Sequence, residues 1–110
     1  MVLSGDFNSS AANPADPSFP AYQAIIDAGF ADAWLLKHHP DPAFACCQAP
    51  DLLNAASSLD QRIDLVLVRG RVGAPRIELI GDRQKDRTPS GLWPSDHAGV
   101  AATLSLDREQ

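Results

Sequence analysis

Ile63-Asp64-Leu65-Val66-Leu67-Val68 is the stretch that decides the fold. Apart from Asp64 every position is aliphatic, and the β-branched Ile63, Val66 and Val68 favour extended backbone. Side chains of a strand alternate between its two faces, so a run that is apolar at successive positions has no face to offer to water. The stretch therefore reads as a strand covered on both sides. A carboxylate at its start is expensive to bury without a partner, which places Asp64 at a strand end where something satisfies it.

Working outward, Arg76 to Ile80 is a second strand of more alternating character. It follows a turn at Gly70 to Pro75, so the two strands are expected to form a hairpin. Upstream, Met1 to Phe7 reads as a short apolar strand, broken by Gly5 and ending in a polar tip at Asp6 and Asn8. Residues 98 to 106 give the last strand. Tyr22, Ile25 and Ile26 fall at helical spacing, with Ser18 as a candidate N-cap and Gly29 as a stop, which predicts a helix over 19–28. Phe30 to Trp34 follows as a loop or short strand. Pro40, Pro42 and Pro50 keep 37–57 irregular, and 81–95 is a charged, turn-rich connection.

The strands at 1–7, 63–68 and 98–104 look apolar on both faces, yet one amphipathic helix is in sight to cover them. A second sheet is needed, and a missing N-terminal segment or another copy of the chain would supply it.

At 110 residues the chain makes one domain at most, spanning 1–110. Nine Lys and Arg against fourteen Asp and Glu give a formal charge of -5, the wrong sign for binding a polyanion or a membrane surface through bulk charge. Acidic enzymes still act on phosphate esters when divalent cations supply the local positive charge. No run of about 18 apolar residues is available to span a bilayer. MVLSGDFNSS lacks the features of a secretory signal, so the chain as written is cytoplasmic, with its localisation otherwise unknown. Cys46 and Cys47 are adjacent, a poor spacing for a disulfide framework. With His38 and His39 they form no recognised ligand pattern, and they read as packed thiols beside loop imidazoles.

Polar groups with chemistry sit at the strand edges: Asp6 and Asn8 in SGDFN, Asp64 in RIDLV, Asp96 and His97 in PSDHAG. Converging at one end of a sheet, they suit metal-assisted hydrolysis of a phosphate ester. Hard cations take carboxylate oxygens, and an imidazole oriented by a carboxylate moves protons or binds phosphate.

Gly5-Asp6-Phe7-Asn8, then Arg62-Ile63-Asp64, then Ser95-Asp96-His97 resembles, in that order, the endonuclease/exonuclease/phosphatase family, the DNase I-like metal-dependent phosphoesterases. Tyr22 to Trp34 is similar to the helix and Gly-Phe-x-Asp-Ala segment of bacterial members. The resemblance covers Met1 to Leu104 and matches the family's C-terminal half. It implies an α/β (α+β) fold, half of a four-layer αββα sandwich, with one mostly antiparallel or mixed sheet carrying a helix on one face. It implies catalytic roles for Asp6, Asn8, Asp64 and His97, phosphate binding by Asn8 and His97, and metal ligation by Asp96 and Asp6. The implied cofactor is Mg²⁺, with Mn²⁺ or Ca²⁺ as alternatives, and the implied substrate is a nucleic acid or small phosphoester. Arg62 would support the site from behind or point to solvent.

Family members also carry an N-terminal Asn, a metal-binding Glu and a further catalytic His or Tyr, for which this chain has no counterpart. The sequence therefore reads as a fragment of such a hydrolase. The alternative is a noncatalytic α/β half-domain that self-associates through its open sheet face.

Overall fold

In the computed structural model, which describes residues 1–38 and 41–106, the IDLVLV run forms β3 (Asp64–Val68), the centre of a three-stranded antiparallel sheet. One neighbour is β1 (Val2–Asp6), in a register from Val2 opposite Val68 to Asp6 opposite Asp64. The other is the two-residue β2 (Ala31–Asp32), with Ala31 opposite Val68. A second antiparallel sheet joins β4 (Val72–Ile80) to β5 (Gly99–Leu106). Two helices, α1 (Phe19–Asp27) and α2 (Ala33–His38), complete an α+β fold. None of the described helices is long and apolar enough to cross a membrane.

The alternation of β3 explains its composition. Leu65 and Leu67 face one side, where they are buried with Tyr22, Phe30 and Ala11, and Phe19, Ile25 and Ile26 of α1 pack against that cluster. Each leucine so buried contributes about 1.5–3 kcal/mol. Val66 faces the other side and packs against a second cluster of Ala33, Trp34, Ala74 and Ile77, with Val100 and Leu104 beside it. The chain's own α2 and β4–β5 sheet thus cover the face of β3 for which a foreign segment was expected. The single expected sheet is two sheets, stacked through this second core.

The expected hairpin of β3 with the next strand does not form. β4 begins at Val72, directly after Arg69-Gly70-Arg71, and pairs with β5 instead. Gly70, at φ 95, makes the sharp turn that carries the chain into the other sheet. Pro75 lies inside β4, at the irregularity between Gly73 and Arg76 where no ladder donor is required. The helix expected over 19–28 is α1, and Gly29, at φ 96, ends it by donating to the Ile26 carbonyl. Ser18 occupies the N-cap position without capping. Its hydroxyl donates to Asp16 Oδ1 (2.6 Å) and accepts from the Ser10 amide (2.8 Å), which closes the preceding loop instead.

The segment read as loop or short strand becomes β2 and then, from Ala33, α2. His38 ends α2 rather than lying in an open loop: Nε2 donates to the Ile77 carbonyl (2.7 Å) and the ring lies 4.5 Å from that of Trp34. His39 lies outside the described residues. The irregular chain beyond it is held by side chains. Gln48 Oε1 accepts from Asn54 Nδ2 (2.7 Å) and the Ser58 amide (3.0 Å), and the fully buried Trp93 donates Nε1 to the Asn54 carbonyl (2.7 Å).

Candidate functional site

The antiparallel register sets Asp6 directly across from Asp64 at the same end of β1 and β3. His97 arrives from the connection before β5. Its amide donates to Ser95 Oγ (3.1 Å), and the chain around it is strapped to residues 45–48: Gln48 N donates to the Asp96 carbonyl (2.7 Å) and Ala98 N to the Ala45 carbonyl (2.8 Å). His97 Nδ1 then stands 2.7 Å from Asp64 Oδ2. One ligand atom each from Asp6, Asp64 and His97 lies within 4.8 Å of the others. Both Asp6 and Asp64 line a cleft of about 290 Å³ between the two sheets, with Gly5, Val66, Ala98 and Gly99 among its walls.

Neither member of the ion pair is sealed off, with side-chain exposures of 27% for His97 and 18% for Asp64. Burial pushes the Asp64 carboxyl above its usual range, assisted by the charges of Asp6 and Asp96; the hydrogen bond with His97 opposes this without cancelling it. That same hydrogen bond is the main cause raising His97, with the surrounding carboxylate charges adding and burial opposing. Both partners shift upward, so the pair holds a proton more readily than either group would in water. In the neutral ring the Nδ1 proton is donated to Asp64, which leaves the Nε2 lone pair free.

Asn8, exposed and at φ 50, follows in a tight turn whose amide donates to Asp6 Oδ1 (2.8 Å). The turn fixes the carboxylate and leaves the Asn8 amide group in solvent beside it. Asp96 is exposed and stands outside the tight group of Asp6, Asp64 and His97, while its charge reaches both Asp64 and His97. Three of the five residues picked from the sequence, Asp6, Asp64 and His97, thus meet in space from three separated motifs, with Asn8 tied to Asp6 by the turn and Asp96 acting through its charge.

Arg62 does not point to solvent. It is buried, with Nη1 2.6 Å from Asp32 Oδ2 and Nη2 donating to the Ala11 carbonyl (3.3 Å). Tyr22 donates its hydroxyl to the same Asp32 oxygen (2.8 Å), and burial, followed by the Asp32 charge, pushes the phenol up to about 12. Asp32 also receives the Trp34 amide on Oδ1 (3.2 Å). This internal knot ties α1, β2, α2 and the loop after β1 to Arg62, two residues before β3. Sequence reasoning missed Asp32 as its hub, although the residue stands in the Gly-Phe-x-Asp-Ala segment.

The cysteines are also placed differently from expectation. The structure joins the Cys46 and Cys47 sulfurs to each other, and the imidazole beside them is that of His97, with Nε2 3.9 Å from Cys47 Sγ. Scanned against family models, curated proteins and solved structures, the chain matches none.

Proposed function

We propose that the chain carries the catalytic end of a metal-dependent phosphoesterase, with Asp6, Asn8, Asp64 and His97 as its working groups. The observation that carries the reading is the 2.7 Å contact of His97 Nδ1 with Asp64, beside Asp6 directly across the strand pair. The GDFN, RID and SDH motifs are remote in sequence and share this one place. Two stacked antiparallel sheets with helices are also compatible with part of the sandwich that the resemblance implies.

The donor set fits a hard divalent cation. Asp6 keeps a carboxylate oxygen free of the Asn8 turn, Asp64 offers its second oxygen, and Asp96 adds negative charge from the rim. A Mg²⁺ held by one or two carboxylates retains several waters, which the half-exposed position of the site permits. When bound, such an ion neutralises charge that develops on phosphoryl oxygens.

Each residue has a task that follows from its position. Asp64 fixes the His97 ring and its tautomer. His97 keeps Nε2 as the nitrogen that Asp64 does not engage; there the protonated ring would donate to a phosphoryl oxygen and the neutral ring would accept a proton from water. Asp6 accepts a hydrogen bond from an attacking water at the mouth of the cleft. Asn8 donates its side-chain amide to phosphate without adding negative charge.

The test is hydrolysis of an activated phosphodiester, an activated phosphomonoester and single- and double-stranded DNA by the full chain, with Mg²⁺ and with chelator. The expected result is a chelator-sensitive rate that His97→Ala lowers by about 10²–10⁴ with the circular dichroism spectrum unchanged. A rate equal to buffer on every substrate, or one that His97→Ala leaves intact, would overturn the proposal.

A further inference from the structure

The vicinal cysteines lie outside the catalytic assignment, yet they are beside its histidine. Residues 45–48 run against 96–98, with Cys46 bridged to both Gln61 and His97 through the backbone. That strapping brings Cys47 Sγ to 3.9 Å from His97 Nε2, while Nδ1 of the same ring is engaged by Asp64. One ligand atom each from Cys46, Cys47 and His97 lies within 4.8 Å of the others. Cys46 is buried at 3% exposure, and Cys47 and His97 are half-exposed, so the cluster has a closed floor and an open mouth.

We propose that Cys46, Cys47 and His97 form a binding site for a thiophilic divalent cation of the zinc and cadmium class, open when the cysteines are reduced. Two thiolates and an imidazole nitrogen are the donors such ions select over hard oxygen ligands, with a water completing four-coordination. The Asp64 contact is the carboxylate–histidine arrangement that holds a metal-binding imidazole in the required tautomer, with Nε2 as the ligating atom. The opening step balances with a thiol reductant: the Cys46–Cys47 bond and two external thiols give two cysteine thiols and one external disulfide. Binding then releases two protons as the thiols become thiolates. An ion held there occupies His97 Nε2, the atom assigned to substrate in the proposed phosphoesterase, so it would inhibit hydrolysis. This inhibitory consequence rests on the proposed phosphoesterase; the binding site does not.

The probe is Cd²⁺, titrated into the phosphine-reduced full chain and read by its ultraviolet thiolate-to-metal charge-transfer band. The expected result is one equivalent bound per chain, with no band for the oxidised chain or for the Cys46→Ser/Cys47→Ser variant. His97→Ala and Asp64→Asn should each weaken binding by about 10-fold or more. Absence of the band in reduced protein that retains its native circular dichroism would overturn the site, as would Cd²⁺ affinity unchanged by His97→Ala. Cys47→Ser alone should keep basal hydrolysis and lose Cd²⁺ inhibition. Tight Cd²⁺ binding that leaves an active chain uninhibited would overturn the gating and spare the site, and a chain with no hydrolysis at all would still be decided by the band.

Discussion

Two carboxylate–cation pairs in this molecule have nearly the same contact distance and opposite surroundings. Asp32 meets Arg62 at 2.6 Å with side-chain exposures of 2% and 3%; Tyr22 and Trp34 donate to the carboxylate and the Ala11 carbonyl accepts from Arg62, whose buried Nε is left without a partner among the described residues. Asp64 meets His97 at 2.7 Å with exposures of 18% and 27%, and leaves Nε2 uncommitted except for the distant Cys47 sulfur. The first pair is enclosed by its neighbours and joins five parts of the chain. The second is half-open, and its protonation is shifted upward on both sides. Burial and the number of additional partners on the carboxylate, rather than the presence of an ion pair, separate this structural knot from the half-open candidate site.

The largest expected effect breaks the closed pair. Arg62→Ala strands Asp32 in the interior, and denaturant unfolding should show a loss of about 3–5 kcal/mol. Tyr22→Phe withdraws one hydrogen bond to the same carboxylate and should cost about 1.5–3 kcal/mol in that measurement. Equal tolerance of both substitutions would mean that the knot does not hold the fold.

The open pair should behave in the reverse manner. Asp64→Asn removes a carboxyl that the fold pushes toward its protonated form, so it should leave the unfolding midpoint at neutral pH within about 0.5 kcal/mol of wild type while abolishing most hydrolysis. A large loss of stability would reclassify Asp64 as a second structural anchor.

The smallest effect lies in the titration of His97. Its folded value lies above 6.5, so the stability it contributes is complete below pH 6.5 and disappears as pH rises through the folded value. Nuclear magnetic resonance of the His97 ring should show that raised midpoint, and Asp64→Asn should move it back toward 6.5 because the hydrogen bond is the leading cause. If His97 donates as the protonated ring, the alkaline limb of the hydrolysis profile moves down with it. A midpoint unchanged by Asp64→Asn would detach the two residues.

What the sequence disclosed follows the reach of each signal. β3 and α1 were legible because a continuous aliphatic run and a helical period are local patterns that tertiary packing here agrees with. Asp6, Asp64 and His97 were legible because charged or ionisable groups at strand edges stand out against apolar neighbours. The pairing of β4 with β5 was hidden, since it depends on a turn at Gly70 into another sheet and on a partner from the far end of the chain. α2 was hidden by its length: six residues show too little of a helical period, and they follow β2 without a break. Arg62 and Asp32 were opaque because nothing in RIDLV or GFADAW signals that these two charges meet. Cys47 and His97 came together through a strapped irregular segment, where proline content predicts irregularity and says nothing about destination.

The most direct measurement is a double-mutant cycle on kcat/KM for Mg²⁺-dependent phosphodiester hydrolysis, using wild type, Asp64→Asn, His97→Ala and the combination. Asp64 acts through His97 in this account, so the double variant should be no slower than His97→Ala alone. Losses that multiply, or a wild-type chain without Mg²⁺-dependent hydrolysis, would contradict it.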